Sequence, residues 1–470
     1  MLLTGYDLRG IFKKELTFDV IYQATKQFFK KLKIRKAILA VDANRNNFLI
    51  KDFLERNFNL EFIGVLPTPI FYYKVIKIKI PGIMITASHL PLKYSGLKFI
   101  LENGEPWKPY ISALPSGHTP EAHSPRSAIV RTSAGMTLRQ TRRIINLQKH
   151  QIIKEYFKTL FSIIKPKKKI FVCFDKKNFF LNASLPYFEK LKIFHQDNSP
   201  IKIKSDLDND RIFVYLKKRK IHNDLIFYYL ALLPQYKKLA VPIFFSQKLR
   251  QELIKKGKKI YFIPTGHYYF KKAFKKYNLD LGFEPSGHFY MFKDLKTESP
   301  YLALGLFLHL LAELTDLTQT ERTKQRIALE EILKLNNSLQ LYRFDIKKIQ
   351  SEENVVSFLK KRYKLKLKKF DGYLLFPKEK TELTKLTQNL NKNTIAELTE
   401  LTQNLQKNTT SEIAELTQNS QKNSVSSASV QHGSAFYLYL RKSKTENKLR
   451  VSFEGDKKIL KEIKQWLMKI

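Results

Sequence analysis

Four short stretches of this chain carry side chains that could do chemistry together. In Thr86-Ala87-Ser88-His89-Leu90-Pro91 a hydroxyl stands beside an imidazole just after an apolar run. Such a hydroxyl can act as a nucleophile, though a lone Ser-His pair is usually plain loop chemistry. In Asp206-Leu207-Asp208-Asn209-Asp210-Arg211 three carboxylates alternate ahead of another apolar run. Alternate side chains of extended backbone point the same way, so Asp206, Asp208 and Asp210 are expected to converge on one cation. Mg2+ takes about six oxygens and keeps water or phosphate oxygens among them, for which three carboxylates leave room. A calcium loop is disfavoured, because Lys217 stands at the twelfth position where a bidentate Glu belongs. Like charges this close cost energy unless a cation offsets them, so a plain acidic turn explains the cluster poorly in so basic a chain. Glu284-Pro285-Ser286-Gly287-His288 gathers carboxylate, hydroxyl and imidazole, a set suited to sugar hydroxyls. Arg441-Lys442-Ser443-Lys444-Thr445-Glu446-Asn447-Lys448-Leu449-Arg450 joins guanidinium, hydroxyls and turn amides. Together these can cradle a phosphate, and by composition alone a solvated basic hairpin fits equally well.

The elements that must position these groups alternate between strand and helix. Residues 37–41, 61–65 and 82–85 read as short strands and 18–32 has helical spacing, the pattern of an α/β layer with function at the strand ends. The pattern resumes from 151 with a strand at 169–174, a helix at 185–191 and a strand at 211–215. A third unit has strands at 239–244 and 260–263 and a long apolar helix from Pro300. In the last unit, strands at 436–440 and 449–453 flank the basic turn. Domains are therefore expected at 1–112, 151–218, 219–320 and 321–470. Between the first two, no lysine occurs from Lys108 to Lys149, so 113–150 reads as an insertion, a frame-shifted stretch or a linker. A polar repeat, Thr387-Gln388-Asn389, Thr402-Gln403-Asn404 and Thr417-Gln418-Asn419, interrupts the last domain at 379–433. Three short copies are too few for a solenoid, and their composition fits an exposed insertion.

Composition narrows the class. The 470 residues, 43% hydrophobic and 13% aromatic, exclude wholesale disorder. The single Cys173 lies in an apolar run and reads as a small core residue. No signal peptide is expected, since Asp7 and Arg9 interrupt the N-terminus, and 301–312 is too short to span a bilayer. A cytoplasmic protein without membrane contact is expected. The net charge of +43 would attract polynucleotides non-specifically, but the lysines are spread over nearly every segment, so no specific nucleic-acid partner is expected.

Taken in order, these residues resemble the α-D-phosphohexomutase superfamily, and in particular its phosphomannomutase/phosphoglucomutase branch. Tyr6-Asp7-Leu8-Arg9-Gly10 is similar to the family's Y-D-I-R-G, and Val65-Leu66-Pro67-Thr68-Pro69 to its V-P-T-P turn. Residues 86–91 resemble the T-A-S-H-N-P phosphoserine loop, and Tyr94-Ser95-Gly96-Leu97-Lys98 the Y-N-G-F-K that follows. Residues 206–211 resemble the D-G-D-x-D-R metal loop, Thr265-Gly266-His267 a short loop ahead of the sugar motif, and 284–288 G-E-x-S-G-H. Residues 441–450 resemble R-P-S-N-T-E-P-x-L-R.

The resemblance implies four domains around a central cleft: three α/β domains with mixed sheets and a smaller α+β C-terminal domain. It implies an intramolecular phosphotransferase with Ser88 carrying the phosphoryl group and His89, Arg9, Lys98 and Arg211 assisting transfer. Mg2+ would be held by Ser88, Asp206, Asp208 and Asp210. Tyr6, His267, Glu284, Ser286 and His288 would face the sugar, and Arg441, Ser443, Lys444, Thr445 and Arg450 the phosphate that is not reacting. A hexose 1,6-bisphosphate would be the activator, hexose phosphates the ligands, and the state monomer or dimer. Leu90, Leu207 and Phe283 stand where Asn, Gly and Gly are usual. If the metal-loop glycine takes positive φ, Leu207 would cost about 1–2 kcal/mol. A homologue that binds sugar phosphate without turnover, and a basic nucleic-acid-binding protein, are the competing readings.

Overall fold

The computed structural model describes residues 3–4, 6–88, 90–110, 138–166, 168–314, 321–347, 352–363, 365–369, 373–376, 436–442 and 448–467. The repeat at 379–433 and residues 113–137 lie outside them.

In the first unit β1 (Leu3–Thr4), β2 (Asp7–Ile11), β3 (Ala37–Val41), β4 (Leu60–Val65), β5 (Gly82–Ile85), β6 (Tyr94–Ile100) and β7 (Pro106–Trp107) form one sheet, ordered β1-β2-β6-β5-β3-β4 with β7 on β6. Strands β3, β4 and β5 run parallel, and β6 returns antiparallel to β5 and β2. Helices α1 (Phe18–Leu32), α2 (Asn46–Asn57) and α3 (Thr68–Ile78) cover its faces. Thr17 caps α1 by accepting from the Val20 amide at 3.3 Å. Strand β3 is buried at all five positions, as expected of a strand with helices on both faces.

Helix α4 (Leu138–Ile164) leads into the second unit, so the lysine-free stretch ends inside a helix rather than at its start. There β8 (Ile170–Phe174), β9 (Ile193–His195), β10 (Ile201–Ser205), β11 (Ile212–Leu216) and β12 (Arg219–Lys220) order as β12-β11-β10-β8-β9. Helix α5 (Phe179–Lys190) starts six residues before the expected 185, because Asn178 caps it on the Leu181 amide at 2.9 Å and Pro186 sits within it.

The third unit contains α6 (Asn223–Leu232), β13 (Lys238–Val241), α7 (Gln247–Lys255), β14 (Lys259–Phe262), α8 (His267–Tyr277), β15 (Leu281–Phe283), β16 (Phe289–Met291), α9 (Phe292–Leu295), β17 (Thr297–Glu298) and α10 (Pro300–Leu314). Its sheet is ordered β14-β13-β15-β16-β17. Helix α11 (Glu321–Ser338) buries Leu329, Ile332 and Leu333 in the large core that these units share, although in sequence it belongs to 321–470.

The last unit is antiparallel throughout: β18 (Leu341–Lys347), α12 (Glu352–Arg362), β19 (Lys366–Lys369), β20 (Tyr373–Phe376), β21 (Tyr437–Lys442), β22 (Lys448–Glu454) and α13 (Lys457–Leu467), with the order β18-β22-β21-β20-β19. One continuous apolar core runs from Ile70 and Phe71 of α3 through Tyr156 of α4 and Val214 of β11 to Phe307 of α10. The last unit has its own core around Leu438, Val451 and Ile463. It meets the third unit through a Phe244–Tyr439 stack at 4.5 Å and Arg343, which grips the buried Asp224 with two nitrogens at 2.6 and 2.9 Å.

Candidate active site

Ser88 sits just beyond β5, nearly fully buried, with left-handed φ of 55°. Strained backbone of this kind persists only where its surroundings hold it, and the Ser88 amide donates to Thr86 Oγ1 at 2.8 Å. Its Oγ donates to Asp206 Oδ2 at 3.4 Å.

The three carboxylates converge as expected, but not by strand alternation. Residues 206–211 form the tight turn between antiparallel β10 and β11. The left-handed residue there is Asn209, φ 53°, while Leu207 is absent from the positive-φ residues and lies half exposed. The strain expected at Leu207 therefore does not arise, since Asn tolerates the left-handed region that a branched apolar residue avoids. Asn209 is tied on both sides, accepting from Asn178 Nδ2 at 2.8 Å and donating to the Tyr301 hydroxyl at 2.8 Å. Phe283 is buried in a stack with Phe227 at 4.5 Å, needing no glycine.

One oxygen each from Asp206, Asp208 and Asp210 lies within 4.8 Å of the others. Thr68 and Thr86 hydroxyls donate to Asp208 Oδ2 at 2.9 and 3.2 Å. Asp208 Oδ1 and Asp210 Oδ1 are buried without a hydrogen-bond partner among the described residues. Orphaned carboxylate oxygens in an all-oxygen set fit a hard cation such as Mg2+. Burial, then the neighbouring Asp210, push Asp208 up to about 6, and burial with Asp210 and Asp208 drives Asp206 well above the usual range. Burial would also raise Asp210, but His288, Lys98 and Arg211 outweigh it and hold Asp210 well below.

The flanking cations come from different strands. Lys98 on β6 is buried, 3.3 Å from Asp7 and 3.7 Å from Asp210. Burial opposes its charge, yet Asp7 and Asp210 leave its ammonium raised above the ordinary value. Arg9 on β2 donates to Asp7 at 2.6 Å. Gly96, opposite Arg9 in the ladder, has no room for a side chain: a Cβ would lie 2.6 Å from the Leu8 carbonyl oxygen and 2.8 Å from that of Thr86. Arg211 lies 3.4 Å from Asp206 and donates to His288 Nε2 at 3.2 Å.

The 284–288 loop is fastened to this turn, because the Ile212 amide donates to the Gly287 carbonyl at 3.1 Å. Glu284 accepts from the Gly266 amide at 2.8 Å and the Tyr290 hydroxyl at 2.7 Å. Tyr6 stacks on Tyr268 at 4.4 Å, beside His267. Glu284, Ser286, Arg441 and Arg450 share a cavity of about 290 Å³ between the third and fourth units, which Arg343 and Asp345 also line. Arg441 donates to Thr265 across it. His89, Ser443, Lys444 and Thr445 lie outside the described residues.

Sequence reasoning missed Asp7, Thr68, Asn178, Asn209, Lys271 and Glu298. Three carried a signal, since Asp7, Thr68 and Asn209 lie in motifs already singled out. Lys271 is buried against Tyr72 and ion-paired with Glu298 at 3.1 Å, which no local pattern announces.

Comparison with known proteins agrees with this architecture. Residues 1–113 match the family model described as phosphoglucomutase/phosphomannomutase, alpha/beta/alpha domain I, and 224–331 that of domain III. The chain belongs to the α-D-phosphohexomutase superfamily. A phosphoglucosamine mutase of Prochlorococcus marinus is 36% identical over 105 residues, 21% of this chain and 23% of that protein. A phosphomannomutase of Klebsiella pneumoniae is 29% identical over 22% of this chain and 69% of its own length. The match thus spans only about a quarter of the first relative. Over the whole fold, a phosphoglucomutase/phosphomannomutase family protein from Burkholderia thailandensis superposes with TM-score 0.63 at 14% identity, covering 99% of this chain and 95% of its own. An open-form phosphoglucomutase (parafusin) from Paramecium gives 0.55 at 13%, covering 93% and 87%. No helix among the described residues is long and apolar enough to cross a membrane.

Proposed function

We propose that this chain interconverts hexose 1-phosphate and hexose 6-phosphate, of mannose and/or glucose, through phosphorylated Ser88 and a hexose 1,6-bisphosphate intermediate. The reading rests on one observation: the Ser88 hydroxyl lies 3.4 Å from a buried carboxylate trio flanked by Lys98 and Arg211. Phosphoryl transfer asks mainly for in-line positioning and for cations on the equatorial oxygens. Asp206, Asp208, Asp210 and the Ser88 oxygen would hold Mg2+, which when bound supplies charge neutralisation for the phosphoryl group.

A sugar hydroxyl attacks the phosphorus of phosphoserine; a bond forms to the sugar oxygen, the bond to Ser88 Oγ breaks, and the hydroxyl proton ends on the serine oxygen. Lys98, Arg9 and Arg211 stabilise the oxygens in flight. Glu284 and Ser286 hold the sugar hydroxyls, with His288, His267 and Tyr6 beside them. Arg441 and Arg450 grip the other phosphate, using remote binding energy to orient the reacting hydroxyl. The bisphosphate then turns over and returns its second phosphoryl group to Ser88. The cavity between the third and fourth units supports this division of labour, with Glu284 and Ser286 on one wall and the two arginines on the other.

The test is formation of 6-phosphate from glucose 1-phosphate, mannose 1-phosphate or glucosamine 1-phosphate with Mg2+ and a hexose bisphosphate. Intact mass is expected to show one phosphate, lost in Ser88→Ala. No turnover of any of the three by the folded protein would defeat the reading.

A further inference from the structure

Beside the carboxylate turn is a second group of donor atoms with different chemistry. One ligand atom each from Asp210, His267 and His288 lies within 4.8 Å of the other two. Three separate stretches deliver them: the β10–β11 turn, the start of α8 and the 284–288 loop. Hydrogen bonding fixes the tautomer of His288. His288 Nδ1 lies 3.0 Å from the Asp210 backbone carbonyl. A carbonyl only accepts, so Nδ1 carries the hydrogen and Nε2 the lone pair. His267 Nδ1 lies 3.4 Å from Oε1 of the fully buried Glu298, close in distance but not aligned as a hydrogen bond, so either ring nitrogen of His267 can carry the hydrogen. The two Nε2 atoms face each other, 3.4 Å apart.

The Arg211 Nε–H meets the His288 Nε2 lone pair at 3.2 Å, and the spacing of the two Nε2 atoms also suits a shared cation. A tetrahedral cation with metal–nitrogen bonds of about 2.0–2.1 Å sets its ligand atoms about 3.3 Å apart, close to the separation found. Asp210, 1% exposed, adds a carboxylate oxygen within 4.8 Å of the imidazole donors, and its Oδ1 has no hydrogen-bond partner among the described residues. The far nitrogen of His288 is bonded to the Asp210 carbonyl, the outer arrangement that holds metal-ligating histidines in place, and that of His267 lies 3.4 Å from a Glu298 oxygen.

We propose that His267, His288 and Asp210 form a transition-metal site for a cation of the Zn2+ class, adjoining the all-oxygen trio and sharing Asp210 with it. Two imidazole nitrogens favour Zn2+, Co2+ or Ni2+ over Mg2+. Arg211, whose Nε now donates to His288 Nε2, moves aside on entry and keeps Asp206 and Asp210 as partners, at 3.4 and 3.6 Å.

Co2+ titrated into the full chain under saturating Mg2+ tests the proposal, with visible absorption as the readout. One equivalent with the strong band of four-coordinate, nitrogen-ligated Co2+ is expected, and Asp206→Asn should retain it. His267→Gln and His288→Gln should lose the band, and Glu298→Gln, which meets His267 through its far nitrogen and also pairs with Lys271, should weaken affinity about 10–100-fold. Circular dichroism establishes that each variant is folded, and one folded histidine variant suffices. A weak six-coordinate spectrum in the Mg2+-saturated parent, or an unchanged band in a folded histidine variant, overturns the proposal. The readout needs no turnover, so its failure and that of the mutase reading are separable.

Discussion

Replacing Asp208 by Asn separates what the carboxylate turn costs the fold from what it does. Asp208 is fully buried, accepts from two threonine hydroxyls through Oδ2, and has Oδ1 without a hydrogen-bond partner among the described residues. Burial and then Asp210 push its carboxyl from an ordinary 3.8 up to about 6. A rise of about two pH units corresponds to about 3 kcal/mol, an upper bound on what ionised Asp208 costs the metal-free native state. The sign follows from linkage: with the folded value raised, this contribution is whole below about pH 4 and lost as pH climbs through about 6. An Asn keeps the acceptor for Thr68 and Thr86, turns a donor toward Asp210 and carries no charge. Metal-free Asp208→Asn is therefore expected to be more stable than the parent near neutral pH by about 1–3 kcal/mol, the gap closing toward about pH 4. Mg2+ should reverse the order, stabilising the parent by mass action and the variant far less. Urea unfolding followed by circular dichroism, in chelator and in excess Mg2+ at several pH values, reads both effects. A variant less stable than the parent in chelator near neutral pH, or stabilised equally by Mg2+, refutes the reasoning.

Gly96→Ala should cost about 1–3 kcal/mol, since its Cβ meets two backbone carbonyls that cannot both give way; thermal unfolding measures it. Arg441→Ala is expected to raise KM for the sugar phosphate about 10–100-fold, reflecting the loss of about 1.5–3 kcal/mol of charge-assisted bonding. It should leave Ser88 phosphorylation intact, so loss of the phosphate by mass would contradict the assigned role. Arg343→Met strands the buried Asp224 and should cost about 3 kcal/mol or more. Limited proteolysis should then release the last unit first, because its core is separate from the large one; simultaneous loss of all units would count against this.

Much of the site was legible because phosphoryl chemistry uses residue types that stand out locally. Ser88 and the three Asp residues sit at a strand end and in one tight turn, where local chemistry draws notice to them, whereas Lys98 and Arg211 were marked by the family resemblance. The same locality misled about how they converge. Extended backbone and a turn both bring Asp206, Asp208 and Asp210 together, and the fold uses the turn, putting left-handed strain on Asn209 instead of Leu207. Helix α5 began early because a cap and its packing outweighed Pro186.

By itself, the order of residues marked the α/β succession through periodicity and, through the likeness of its motifs to a known superfamily, the family and the groups proposed to react. Tertiary structure alone decided that Thr68 supports Asp208 across 140 residues, and that Gly287 is bonded to Ile212. It also decided that His267 faces His288 and that Lys271 neutralises Glu298 beneath the site. Those pairings depend on how sheets and helices pack, through burial and distances that no spacing along the chain encodes.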